Sequence, residues 1–309
     1  KTDGTLWAWG LNWGGGLGQN NRTNYSSPTQ VPGTTWADVQ KGYKSMFASK
    51  TDGTLWAWGY NINGSLGQNN RTTYSSPVQI PGTTWAAGQT NSNNSFGIKT
   101  DGTLWVWGRN TLFTMGNNQP SDWSGSSPVQ IGSGTDWCTS GENKVALGPQ
   151  TAYAVKTDGT LWVWGRNITG LLGQSQTSQN VYKSSPIQIP GTSWSQIHCT
   201  GYSAYAIRTN GTMWNWGYNG QGQLGTLDGT QYKSPKQVPG TSWKSVSSSH
   251  YAASATRTDG TLWTFGDNSK GELGDNSTTG QQSSPKQVPG TTWDTTFGSN
   301  GQGRNMMVN

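Results

Sequence analysis

Few side chains in this 309-residue chain have the type and spacing that chemistry demands. His198 and His250 are its two histidines, and neither has a Cys, Asp or Glu beside it at metal-ligand spacing. Both read as structural or surface residues, and no metal or cofactor is expected. Cys138 and Cys199 stand 61 residues apart and fit either buried free thiols or a disulfide between units. The glycine-rich run at Gly14–Gly18 lacks the lysine and the strand-to-helix setting of a phosphate loop. Carboxylates recur at Asp3, Asp52, Asp101, Asp158 and Asp259, with Asn210 in the equivalent place of another unit. Each follows a Lys or Arg by two positions and precedes a Gly. That rhythm is turn chemistry, not a general acid–base pair. The two rings of opposite charge read as a solvated ion-pair rim. No catalytic residue is expected, and the chain reads as a non-enzyme.

The elements that carry these residues are repeated. The string "KTDGTLWAWG" opens the chain at Lys1 and returns at Lys50, with close variants at Lys99, Lys156, Arg208 and Arg257. The steps are 49, 49, 57, 52 and 49 residues. Six units result, 1–49, 50–98, 99–155, 156–207, 208–256 and 257–309, and they fill the chain as one domain, 1–309. A period near 50 suits the blades of a propeller. Each unit reads as four strands. The first begins at a lone Trp: Trp36, Trp85, Trp137, Trp194, Trp243 or Trp293. Asp-Gly or Asn-Gly after the second strand predicts a tight primed turn. The third strand carries alternate aromatics on one face. These are Trp7 and Trp9, Trp56 and Trp58, Trp105 and Trp107, Trp162 and Trp164, Trp214 and Trp216, and Trp263 and Phe265. They are expected to form the core between blades. The fourth strand opens near a Pro, which places it at a sheet edge.

The fold class is therefore all-β, a β-propeller of about six four-stranded blades, or seven if a blade lies outside the chain. The last residues, "RNMMVN", resemble a second strand, and the N-terminus supplies a third and fourth. Pairing of N- and C-terminal strands is expected to close the ring. Charged residues are 11% of the chain, yet its 19 Trp supply the apolar area that a disordered chain lacks. The net charge of +6 comes without a Lys/Arg cluster, so no nucleic-acid partner is expected. No apolar run approaches the roughly 20 residues of a membrane helix, so no membrane insertion is expected.

The run through Asp52, Gly53, Trp58, Gly59, Asn61, Gly64, Leu66, Gly67 and Pro77 resembles the repeat of the regulator-of-chromosome-condensation family. The resemblance covers essentially the whole chain and implies the propeller fold. Family propellers usually have seven blades, whereas six units are present here. The family's usual His before the second strand is replaced by Ser45, Asn94, Thr151, Ser203 and Ala252. The eukaryotic founder promotes nucleotide exchange on a small GTPase and docks on chromatin. Here there is neither a basic tail for DNA nor a residue that maps onto an exchange site. Related propellers inhibit proteases or β-lactamases, and many from bacteria and phages are surface or virion components.

Function is sought where the units differ. An aromatic precedes the fourth strand at Tyr25, Tyr74, Trp123, Tyr182 and Tyr232, and Trp13 lies outside the repeat pattern. These six are the candidate loops for binding a glycan or a protein partner. The third unit is the most elaborate. Gln30, Gln79, Gln130, Gln188, Gln237 and Gln287 recur in the fourth strand and are expected to tie it to a neighbouring loop. The leading expectation is an extracellular or virion surface protein of host-attachment type, presenting loops to a cell-surface glycan or an assembly partner. The alternative is a soluble protein-binding propeller that acts as an inhibitor or as an exchange-factor-like partner of a small GTPase.

Overall fold

The computed structural model describes residues 1–42, 44–91, 93–140, 143–176, 181–293, 296–297 and 306–307. In it each Asp-Gly or Asn-Gly turn from Gly53 onward joins two antiparallel strands, but not by a primed two-residue turn. Gly53 has φ +78°, whereas none of the turn aspartates has a positive φ. The Gly53 N–H donates to the Lys50 carbonyl (3.1 Å) and the Lys50 N–H to the Thr54 carbonyl (2.9 Å). This is the three-residue loop closed by a left-handed glycine, in which one residue, not two, needs positive φ.

The chain divides into two compact units, Lys1–Gly141 and Glu142–Asn309. In the first, β1 (Trp7–Gly10) and β2 (Tyr25–Gln30) form a two-stranded antiparallel sheet. A four-stranded meander follows, of β3 (Trp36–Lys41), β4 (Ser45–Lys50), β5 (Leu55–Gly59) and β6 (Tyr74–Gln79). A second has β7 (Trp85–Thr90), β8 (Asn94–Lys99), β9 (Leu104–Arg109) and β10 (Ser124–Gln130). The other unit holds three meanders. Their strands are β11 (Val145–Leu147), β12 (Thr151–Val155), β13 (Leu161–Arg166) and β14 (Tyr182–Ile189); β15 (Trp194–Cys199), β16 (Ser203–Arg208), β17 (Met213–Gly217) and β18 (Tyr232–Gln237); and β19 (Trp243–Ser248), β20 (Ala252–Arg257), β21 (Leu262–Asp267) and β22 (Gln281–Val288). A short pair, β23 (Thr296–Phe297) and β24 (Met306–Met307), ends it. The strands expected to share a closing blade are thus two separate two-stranded sheets, β1–β2 and β23–β24. The expected pairing of Met306 and Met307 with β1 lies outside the described ladders.

Among the four-stranded sheets, one first strand departs from expectation. β11 starts at Val145, not at Trp137. Trp137 stands 19 residues before Lys156, where Trp85 stands 14 before Lys99. Part of the extra length of the third unit therefore lies after its Trp, where it displaces the strand.

Packing follows from the alternation along the third strand. Trp58, Trp107, Trp164, Trp216 and Phe265 are fully buried, and the aromatic two residues earlier in each strand is half-buried. The Trp36 ring meets Trp56 at 6.1 Å and Trp58 at 6.0 Å, so first and third strands share one face. That face packs on the far face of the preceding sheet. Trp36, Ala48 and Trp58 join Val31, Leu6 and Ala8 in one cluster. Trp85 and Trp107 join Phe47, Leu55, Ala57 and Leu66, with Phe47 stacked on Trp107 at 5.9 Å. Trp243 and Phe265 join Tyr205, Ile207 and Met213 in the same way. The same face of β1 lacks such cover among the described residues. Trp9, expected in the core, is 59% exposed.

Candidate functional site

Antiparallel order gives each sheet two different ends. The turn between second and third strands lies at one end. The loop between first and second strands, and the long loop after the third, lie at the other.

The turn end is filled by local chemistry. Trp56 donates its indole N–H to Thr54 Oγ1 (2.8 Å), which donates to Asp52 Oδ1 (2.6 Å). The same relay runs from Trp7 through Thr5 to Asp3, and from Trp263 through Thr261 to Asp259. Thr donors hold the carboxyls of Asp3, Asp52, Asp101, Asp158 and Asp259 below the ordinary 3.8. The basic residue two positions ahead attracts each of these aspartates through space, as a smaller contribution than the threonine donors, while its head group lies over indole rings. Lys50 Nζ lies 4.8 Å from the Trp36 centroid and 4.4 Å from that of Trp56. Arg208 and Arg257 sit in the same way over Trp194 and Trp214, and over Trp243 and Trp263. An indole face offers a desolvated cation more than an exposed, threonine-bound carboxylate does.

The loop end is scaffolded by a buried Asn. Asn61 Oδ1 accepts from the Leu66 N–H (2.9 Å) while its Nδ2 donates to the Asn70 carbonyl (3.1 Å). Asn12, Asn110, Asn167, Asn219 and Asn268 accept from Leu17, Met115, Leu172, Leu224 and Leu273 in the same manner. The side-chain amide replaces the partners that a long loop's backbone otherwise lacks. The tie to the fourth strand is made by a different glutamine from the one expected. Gln68 in the loop donates to the Gln79 carbonyl (2.9 Å), and Gln19 and Gln174 do so to Gln30 and Gln188.

The loop aromatics begin the fourth strand at this end, and several turn back onto their own loops. The hydroxyls of Tyr25 and Tyr74 accept from Asn21 (2.9 Å) and Asn70 (3.0 Å). Tyr232 donates to Asp228 (2.9 Å), a bond that raises its pKa. The Trp123 ring lies over Gly125, closer than a Cβ there would permit. Tyr182 is 36% exposed. Trp13 is 56% exposed and stacks on Tyr60 at 5.8 Å, with Lys44 Nζ 3.8 Å over its ring. Trp7, Trp9, Leu11, Trp13, Lys44 and Met46 line a cleft of about 850 Å³ beside β1–β2, which among the described residues is a two-stranded sheet.

Other aromatics at this end went unnoticed in the sequence. From Tyr60 onward, the residue after Trp-Gly or Phe-Gly donates its N–H to the loop between first and second strands, as Tyr60 does to Lys44, Tyr218 to Tyr202 and Asp267 to Tyr251 (2.8–2.9 Å). Tyr202, Tyr218, His250 and Tyr251 come together there. Sequence comparison of the position after Trp-Gly, which holds Leu11, Tyr60, Arg109, Arg166, Tyr218 and Asp267, was the signal that could have found them.

The Regulator of chromosome condensation (RCC1) repeat matches residues 3–48, 52–87, 158–207, 210–255 and 259–293. The chain belongs to the RCC1 repeat family. Among curated relatives, the RCC1 domain-containing protein RUG3, mitochondrial, of Arabidopsis thaliana is 34% identical over 85 residues, which are 26% of this chain and 18% of RUG3. The chain thus matches less than a fifth of that relative's length. Among solved structures, human WBSCR16 superposes with a TM-score of 0.77 at 20% identity, over 94% of this chain and 78% of that one. Prp20p from Saccharomyces cerevisiae gives 0.75 at 16% identity, over 97% and 77%. The fold is that of an RCC1-like β-propeller.

Polar groups elsewhere in this RCC1-like chain are structural. His198 Nε2 accepts from the Ser248 N–H (3.2 Å), and desolvation lowers its pKa. No disulfide joins the two cysteines. Burial pushes the Cys199 thiol up to about 12, although the residue as a whole keeps some exposed surface. The thiol position governs its reactivity. Among the described residues no three His, Cys, Asp or Glu gather as metal ligands.

Proposed function

We propose that this chain is a non-enzymatic, protein-binding propeller that grips a protein partner with the loop end of its sheets. The observation that carries this reading is the gathering of partly exposed aromatic rings at the loop end within each compact unit: Trp13 with Tyr60 in one, and Tyr202, Tyr218 and Tyr251 with His250 in the other. Tyr and Trp are the side chains that most often anchor protein interfaces. A fold relative supports it: Prp20p is described with binding properties to Gsp1p and histones. A glycan platform needs flat rings turned outward. Tyr25, Tyr74 and Tyr232 instead commit their hydroxyls to their own loops, which favours the protein reading.

The test is capture on the immobilised full chain, followed by cross-linking and mass spectrometry. A protein partner cross-linked to loop-end residues such as Lys44 is the expected result. Binding on a glycan array with no retained protein would sink the proposal. Its narrower form, a small GTPase as partner, is checked by whether the chain accelerates nucleotide release.

A further inference from the structure

Four rings at the loop end of the second unit meet in a closed circuit. Tyr202 contacts Tyr218 at 6.4 Å and His250 at 5.1 Å. Tyr251 contacts Tyr218 at 6.3 Å and His250 at 4.3 Å. Successive planes are steeply inclined, at 61°, 58°, 85° and 85°, so the rings stand like the walls of a box and do not stack. His250 and Tyr251 are exposed, and Tyr202 and Tyr218 are half-buried. We propose that this box receives a cationic side chain, arginine or lysine, from the protein partner. The inference rests on the protein-binding reading above.

Two observations select a cation over an apolar group. First, the chain covers many of its other partly exposed aromatics with cations of its own. Lys50, Lys99, Arg208 and Arg257 each lie over a pair of indoles, and Lys44 covers Trp13 and Tyr60. Among the described residues no Lys or Arg lies over Tyr202, Tyr218, His250 or Tyr251. The negative faces of π systems gathered in one place attract a cation most strongly when it is desolvated between them. Second, an aspartate is joined to the box through its backbone. Asp267 occupies in its sheet the position that Tyr218 holds in the preceding one, and its N–H donates to the Tyr251 carbonyl (2.9 Å). Its carboxylate is oriented by Ser269, through N–H (3.1 Å) and Oγ (2.8 Å). Such a negative charge complements an incoming guanidinium or ammonium.

The full chain with ¹³C-labelled tyrosines is titrated with N-acetyl-arginine-amide and with its uncharged isostere, N-acetyl-citrulline-amide. The expected result is that the arginine derivative shifts the Tyr202, Tyr218 and Tyr251 resonances and binds roughly fivefold or more tightly than citrulline. Tyr251→Leu and His250→Ala each weaken that binding without lowering the melting temperature, and Tyr251→Phe preserves it. Equal binding of the two derivatives, or binding untouched by the substitutions, overturns the box. The two readings fail separately. A partner retained equally by Tyr251→Leu and His250→Ala sinks the box and leaves the protein-binding reading. Arginine binding with no protein ever retained sinks that reading and leaves the box.

Discussion

Trp58 donates its indole N–H to the carbonyl of Gly16, 42 residues earlier and in the loop of the neighbouring sheet (2.9 Å). Trp107 and Trp216 repeat the bond to Ser65 (2.8 Å) and Leu171 (2.9 Å). The buried tryptophan is therefore a directional tie as well as filler. Trp58→Phe should leave that carbonyl unsatisfied and cost roughly 1–3 kcal/mol. Trp58→Ala should cost roughly 3–5 kcal/mol through the cavity. Denaturant unfolding checks both, and a neutral Trp58→Phe would show that the bond contributes nothing.

Asn219 accepts from the Leu224 N–H and donates to the Asp228 and Thr230 carbonyls while fully buried. Asn219→Ala removes these three bonds and a fourth, to Thr226 Oγ1 (3.3 Å). Each backbone group left unsatisfied costs roughly 1–3 kcal/mol. The loss should exceed that of an exposed loop substitution such as Leu227→Ala, and hydrogen exchange at the Leu224 amide should rise.

Lys50 lies between the Trp36 and Trp56 rings. Lys50→Gln should cost roughly 0.5–1 kcal/mol, and Lys50→Arg should be tolerated, since Arg208 and Arg257 fill the same place. High salt that erased the difference in melting temperature would point to ordinary surface ion pairing instead.

The turn aspartates titrate below 3.8 because threonine donors stabilise the charged form. A depressed folded pKa gives stability that is present above the unfolded value and is lost as pH falls through the folded one. Melting temperature should therefore fall on acidification below 3.8. Thr54→Val, which removes the largest cause at Asp52, should shallow that fall. A profile that rises on acidification through this window contradicts the assignment.

Burial that raises the Cys199 thiol to about 12 keeps it protonated at neutral pH. Maleimide labelling at about pH 7 should be slow at Cys199 and become fast on unfolding. Rapid native labelling there would refute its inward placement.

The strand plan was legible in the sequence because Trp36, Trp85, Trp194 and Trp243 open their strands and the third-strand aromatics alternate. The turn type was not, since Asp-Gly suits both a primed turn and a glycine-bulge loop, and only the φ of Asp52 separates them. The start of β11 was hidden by residues added after Trp137. The cation sites were misread because an Asp two residues from a Lys looks like its partner, while the indole that wins lies on another strand. Tyr202, Tyr218, His250 and Tyr251 escaped notice because they come from loops of two sheets, and only Tyr218 stands at the repeated position after Trp-Gly.

The asparagine within each long loop has a consequence for how such a chain can change. Asn61 satisfies the loop interior from a single position, so the outward residues carry little of the folding task. Each loop then behaves as an exchangeable cassette on a constant frame. Specificity can be rewritten one sheet at a time, by duplication and drift or by design, so long as the loop carbonyl that accepts from the next sheet's indole is kept.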